Sequence, residues 1–213
     1  IGLGVMGVAD LLFALRLPYD GKEGLAFMEN LMEFIHYESK IASIKLAENR
    51  GAFPLYKKSF FVKGRMPFAG FYDKKSWHYD WKKIAEGVAR HGFRNANTTV
   101  IAPTGSISMI AGTSSGIEPG FSVVYEKNVA VGSFYYIDEE FELAMKEFGV
   151  YDEVLLKDII ALRGGLQKLS YLPAVIKMIF RTAHDLSAES HIRALAAFQK
   201  WGDSSISKTI NFP

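Results

Sequence analysis

With 213 residues, 49% of them hydrophobic and 23% charged, the chain fits one domain or a large part of a bigger one and is not a disordered segment. A formal net charge of +2 singles out no class of partner, and the absence of cysteine excludes disulfides and thiolate metal sites while leaving the redox compartment open. No run approaches about 20 uninterrupted apolar residues, and Asp10 and Arg16 flank only a short apolar run, so neither a membrane span nor a signal peptide is expected.

Val8, Leu11, Leu12 and Leu15 at helical spacing predict a helix over 7–15, followed by a turn at Pro18, Asp20 and Gly21. Residues 22–49 read as a long amphipathic helix, with Leu25, Met28, Leu31, Met32, Ile35, Ala42 and Leu46 near one stripe. Arg50 and Gly51 close it with a basic last turn and a glycine stop. The stretch 53–93 is looser, broken by Pro54, Pro67 and Gly70, with a helix expected at 81–90. The β-branched run Thr98-Thr99-Val100-Ile101-Ala102 predicts a strand that Pro103 and Gly105 break, with a helix starting at 106–108.

Short extended runs follow at 121–125 and 129–134. A helix is expected at 138–148, offering Phe141, Leu143, Ala144 and Phe148 to a core. Another at 153–163 ends at Gly164-Gly165, a short apolar one covers 173–180, and Ser187-Ala188-Glu189 caps one over 190–201. Residues 205–211 alternate as a strand. Mixed α/β architecture in one continuous body, without repeats or low-complexity linkers, is the expectation.

The stretch 95–119, NANTTVIAPTGSISMIAGTSSGIEP, carries the most chemistry. A helix that starts just after a Pro-Thr-Gly-Ser turn leaves backbone N–H groups unpaired, and its positive dipole end attracts phosphate. The plain alternative is a capped helix that binds nothing. Two other patterns compete. Gly2-Leu3-Gly4-Val5-Met6-Gly7 fits the dinucleotide-binding fingerprint and is similar to the opening of several nicotinamide-dependent dehydrogenases. Only Ile1 precedes it, however, and Asp20, at the right distance for the ribose contact, sits in a turn. Between 53 and 93, nine basic residues face three acids with aromatics interleaved, which suits single-stranded nucleic acid or, equally, a solvated loop anchored by its aromatics. The histidines His36, His78, His91, His184 and His191 lack metal-ligand spacing; His36 reads as a packing or surface residue and His191 as structural. Glu118 is placed to orient backbone or a basic neighbour.

The order PTGSIS, then GTSSGIEP, resembles the substrate-phosphate segment of the ribonucleotide reductase large chain, above all its adenosylcobalamin-dependent (class II) branch. IGLGVMGVADLL at 1–12 is similar to the helix after that family's active-site loop, SIKLAENRGAFP at 43–54 to the next helix-to-loop stretch, and AFQKWGDSSISKTINFP at 197–213 to a late barrel strand. The resemblance implies an α/β fold, with residues 1–213 forming a single partial domain, the C-terminal portion of a ten-stranded barrel. It implies a radical reduction of ribonucleoside di- or triphosphates to deoxyribonucleotides for DNA synthesis. Pro103, Thr104, Gly105, Ser106 and Ile107 would hold the substrate phosphates.

The family's catalytic cysteines are absent from this chain, which is expected to begin just after the catalytic loop and to be inactive alone. Class I enzymes relay the radical through adjacent tyrosines; here the matching Lys208-Thr209-Ile210-Asn211 has no phenol, so adenosylcobalamin is the implied cofactor. The remainder of the polypeptide, a thioredoxin-type reductant and a second copy are the implied partners. Membrane and nucleic acid are not among them, and the implied location is the cytoplasm.

Overall fold

The computed structural model describes the backbone of residues 1–129, 132–162 and 164–212 and, outside 126–135, their side chains. Contacts divide it into two compact units. One comprises Ile1–Val5, Leu25–Pro103 and Ala194–Ser207; the other comprises Met6–Gly24, Thr104–Arg193 and the described residues from Lys208 on. Helix α1 spans Val8–Ala14, α2 Lys22–Arg50, α3 Trp81–His91 and α4 Gly105–Ala111. Strands β1 (Val124–Val129) and β2 (Gly132–Ile137) precede α5 (Glu139–Glu147), α6 (Glu153–Ala161), α7 (Ala174–Ile179) and α8 (Ala188–Gln199).

In the first unit α2 ends as its sequence indicates, at Gly51 with a positive φ of 77°. Its buried face differs from the apolar stripe. Met28, Met32, Glu33, His36, Lys40, Ser43 and Ala47 point inward, whereas Leu46 is exposed, as is Ala42. Polar side chains occupy that face because partners await them there: the Glu33 carboxylate accepts from the Trp81 indole at 2.9 Å and from the His78 backbone N–H at 2.9 Å.

The strand expected at 98–102 is reduced to two isolated parallel bridges, Leu3 with Thr99 and Ile101 with Ile206. A physical reason is a long-range contact: the N–H groups of Thr98 and Thr99 donate to the Asp203 carboxylate, not to a neighbouring strand. The strand expected at 205–211 shrinks likewise to its bridge at Ile206. Leu3, placed by resemblance in a helix, is extended, and the helix begins only at Val8. The glycines before it have packing duties. A Cβ on Gly4 would lie 2.2 Å from the Val100 carbonyl oxygen, and Gly7 takes φ 78° at the helix start.

Four short 3-10 turns, Tyr56–Lys58, Phe60–Lys63, Ala69–Tyr72 and Lys74–Ser76, replace regular structure before α3. Phe61, Phe68, Trp81 and Phe93 are buried, and Trp81 stacks on Trp201 at 5.3 Å, so these rings anchor the loop and are not free platforms for bases.

In the second unit β1 and β2 pair antiparallel, Val124 opposite Ile137 and Val129 opposite Gly132. The extended run expected at 121–125 enters β1 only at Val124; Ala130 and Val131 of the run at 129–134 lie outside the described residues, as do Arg163 and Pro213. Behind the hairpin, Phe13, Phe141, Met145, Ile159, Leu166 and Phe180 form one apolar core. Met145 takes the place expected for Leu143 and Phe148, which face outward. Side-chain caps set the helix starts: Asp138 accepts from the Phe141 N–H, Asp152 from Leu155, and Ser187 from Ser190. That last cap stands ahead of a helix that begins two residues earlier than expected, at Ala188. Among the described residues no helix is long and apolar enough to cross a membrane.

Candidate functional site

Pro103 ends the Leu25–Pro103 segment of the first unit; Thr104, which precedes α4, and Gly105, Ser106 and Ile107 in its first turn begin the Thr104–Arg193 segment of the second. Thr104 sits in the left-handed region, φ 53°, which is unusual for a side chain branched at Cβ. The strain is offset by a bond that glycine lacks the group to make: the Gly116 N–H donates to Thr104 Oγ1 at 2.7 Å. Among the described residues no side chain caps α4, and its first N–H groups lie ahead of the helix's own hydrogen-bond ladder. Gly105, Ser106 and Ile107 are exposed, and a Cβ built on Gly105 would meet nothing within 4 Å.

The return loop is held from several sides. Ser108 Oγ and Ser115 Oγ share a hydrogen bond of 2.8 Å. The Asp10 carboxylate accepts from both the backbone N–H and the hydroxyl of Ser114, at 2.7 and 2.9 Å. The Tyr19 hydroxyl donates to the Ile117 carbonyl, and burial, with the Glu118 charge second, pushes this phenol's pKa well up. Next to α4 lies a cleft of about 370 Å³ whose wall includes Ser108, Ser115, Glu118, Phe121, Thr209 and Asn211. Of the stretch expected to hold phosphate, none of the five residues lines this cleft; Ser108, one residue further on, does.

Glu118 does both things its position suggests. One carboxylate oxygen accepts from the Lys208 ammonium and the other from the Thr209 N–H at 2.7 Å. Lys208 also donates to His191 Nδ1 at 2.9 Å and to the Thr209 carbonyl at 2.6 Å. Burial lowers the Lys208 pKa against the opposing pull of Glu118, and burial followed by the Lys208 charge lowers that of His191. Nothing local in the sequence joins these three residues; they meet only in the fold.

A second polar cluster, also invisible in the sequence, lies in the first unit. Lys40 donates to Asp203, both side chains are wholly buried, and the Lys40 ammonium lies 4.7 Å from the centre of the Phe93 ring. His36, read from sequence as a packing or a surface residue, is fully buried and bonds Thr99 Oγ1 through Nδ1 at 3.0 Å. The Asp20 carboxylate, placed to read a ribose in a dinucleotide site, is instead paired with Arg181 at 2.7 Å in the second unit. Among the described residues no three His, Asp or Glu side chains gather as a metal-binding group.

The first unit thus carries short parallel bridges among its helices, and the second a hydroxyl-lined cleft beside α4, a mixed α/β fold. The family described as "Ribonucleotide reductase, barrel domain" matches residues 1–213, and the chain belongs to it. It is 40% identical over 212 residues to a protein of Thermoplasma acidophilum named "Vitamin B12-dependent ribonucleoside-diphosphate reductase", covering 99% of this chain and 24% of that protein. A protein of the same name from Mycobacterium tuberculosis (strain CDC 1551 / Oshkosh) is 36% identical over 214 residues, covering 100% of this chain and 27% of the relative. The chain thus spans about a quarter of the length of these curated relatives. Among solved structures, the alpha subunit of an Actinobacillus ureae class Id ribonucleotide reductase superposes with a TM-score of 0.69 at 24% identity. It covers 95% of this chain and 31% of that one, and at this identity the likeness shows the fold alone.

Proposed function

We propose that this chain is one continuous portion, residues 1–213, of the ten-stranded catalytic barrel of an adenosylcobalamin-dependent ribonucleotide reductase, and that Pro103, Thr104, Gly105, Ser106 and Ile107 hold the substrate's phosphates. One observation carries the site: an exposed helix start that no side chain caps among the described residues and whose preceding residue is fixed in the left-handed region. Because Thr104 Oγ1 accepts from Gly116, its own hydrogen stays available to a phosphate oxygen. Pro103 contributes shape only, having no N–H. The parallel bridges on either side of 99–101 support a place in a barrel wall.

The names of the relatives support the nucleoside diphosphate as substrate and vitamin B12 as the source of the cofactor. When bound, adenosylcobalamin would supply the radical. The absence of a phenol from 207–212 fits a radical borne by a cofactor, and no residue of this chain is assigned to hold the corrin. The rest of the polypeptide would bring the catalytic cysteines, since this chain has none. A thioredoxin-type reductant, a second copy and a cytoplasmic setting complete the reading. What the turn contributes is position, holding the ribose in register with the reacting centre.

Ser106→Pro in the complete enzyme deletes one of the first N–H groups of α4. It is expected to raise the KM for the nucleotide about tenfold or more, the worth of one charge-assisted hydrogen bond. An unchanged KM in a folded variant would contradict the phosphate assignment.

A further inference from the structure

We propose that His191 is a positioning residue that makes the hold on Thr209, at the wall of the cleft, dependent on pH. The argument starts from Lys208. Its side chain is completely buried, and an ammonium has three hydrogens; these go to Glu118 Oε2, His191 Nδ1 and the Thr209 carbonyl. The other oxygen of Glu118 takes the Thr209 N–H. Both polar groups of the Thr209 backbone are therefore gripped by one ion pair, and Glu118 and Thr209 both line the cleft.

His191 is the third support of that pair. Its Nε2 lies 3.3 Å from the Ala183 carbonyl oxygen, which can only accept, so Nε2 carries the hydrogen and Nδ1 presents its lone pair to Lys208. The charged and titratable groups facing the ring are Lys208 and Glu118, with His184 from the loop before α8. A proton on Nδ1 would point an N–H at an ammonium 2.9 Å away, donor against donor and cation against cation. The contact must then open. Burial weakens the ammonium's hold on its own proton, but the Glu118 carboxylate bonded to it opposes that loss and favours the charged form. Once Lys208 moves, Thr209 loses its carbonyl partner directly and Glu118 loses its brace. Acidification thus loosens this wall, and the neutral imidazole keeps it in place.

Only the kinetic half of the test rests on the reductase reading. In the complete protein, amide exchange at Thr209 is measured between about pH 5 and about pH 7.5, corrected for the intrinsic rate, for the native protein and for His191→Gln. Glutamine offers an amide oxygen to Lys208 and an N–H to Ala183 without a titrating nitrogen. Native protection at Thr209 is expected to fall about tenfold toward acid, and that of H191Q to stay flat. Protection that is independent of pH in the native protein, or falls equally in both, would overturn the inference. Should H191Q not fold, Lys208→Met replaces it, with low and pH-independent protection expected; retention of the native profile would be equally damaging. In assays, the nucleotide KM should rise toward acid in the native enzyme and not in H191Q. A pH-dependent Thr209 with a constant KM supports the tether and counts instead against the cleft as a substrate wall.

Discussion

Lys40 on α2 and Asp203, 163 positions later, form a wholly buried ion pair. Burial pulls the lysine pKa down and would push the carboxyl up, yet the carboxyl is held low. Burial is the largest single effect, but the Lys40 charge, together with the hydrogen bonds from Lys40 and the Thr99 N–H, outweighs it. The pair is therefore ionised, and it organises the N–H groups of two consecutive threonines.

Lys40→Met should accordingly destabilise the first unit by about 3–5 kcal/mol, since it strands a carboxylate without its counter-charge. Urea denaturation of the complete polypeptide followed by tryptophan fluorescence would read this, because the stacked Trp81 and Trp201 lie in the same unit. Restoring stability with Asp203→Asn in the same chain would confirm the cause; a single-variant loss below about 1 kcal/mol would match an exposed pair instead.

Gly4→Ala and Gly105→Ala should separate cleanly. At Gly4 the new carbon meets the Val100 carbonyl oxygen at 2.2 Å, and neither backbone can yield without breaking the bonds from Leu3 to Thr98 and from Val100 to Leu3. A cost of about 1–3 kcal/mol is expected. At Gly105 there is open space, so alanine should change stability by no more than about 0.5 kcal/mol. Equal effects at both positions in thermal melts would refute the close approach.

Stability should fall as the solution is acidified below about pH 6.5, the ordinary histidine range. His36 is held below that value by burial first and the Lys40 charge second, and His191 by burial first and Lys208 second. Between the folded and unfolded pKa values the unfolded chain binds the extra proton, so each group favours folding above the unfolded value and opposes it as pH drops. His36 alone would contribute a slope of up to about 1.4 kcal/mol per pH unit. Its replacement by Phe or Gln should flatten the measured curve; an unaltered slope would show that other groups set it.

Asp152→Ala should fray the start of α6. Its carboxylate accepts from the Leu155 N–H at 2.7 Å, and loss of such a cap costs about 1 kcal/mol. Faster amide exchange confined to the first turn of α6 is the expected signature, and uniform acceleration across α5 and α6 would argue against a local cap.

Much of the helical order could be read directly along the chain. The long helix expected at 22–49 is Lys22–Arg50, and that at 81–90 is Trp81–His91, because periodicity and the stop at Gly51 act within a turn or two of the residues they govern; the Asp80 cap on the second came to light only in the structure. The turn at 103–107 was equally legible, since proline and glycine break a strand whatever surrounds them. The family, too, lay in motif order, and the match over residues 1–213 bears it out.

Long-range polar pairing was not legible. Glu33, His36, Lys40 and Ser43 occupy the buried face of α2 where an apolar stripe would place Leu46, because a charged group goes inside when distant partners satisfy it, and those partners are 45 to 163 positions away. The strand at 98–102 became two bridges when Asp203 took its amides. Glu118, Lys208 and His191 carry no shared spacing at all, yet their hydrogen bonds fix one wall of the cleft. Short-range steric and hydrogen-bonding preferences act on neighbours in the chain and leave a pattern there. Desolvation of charge depends on what the whole fold brings together in space, and leaves none.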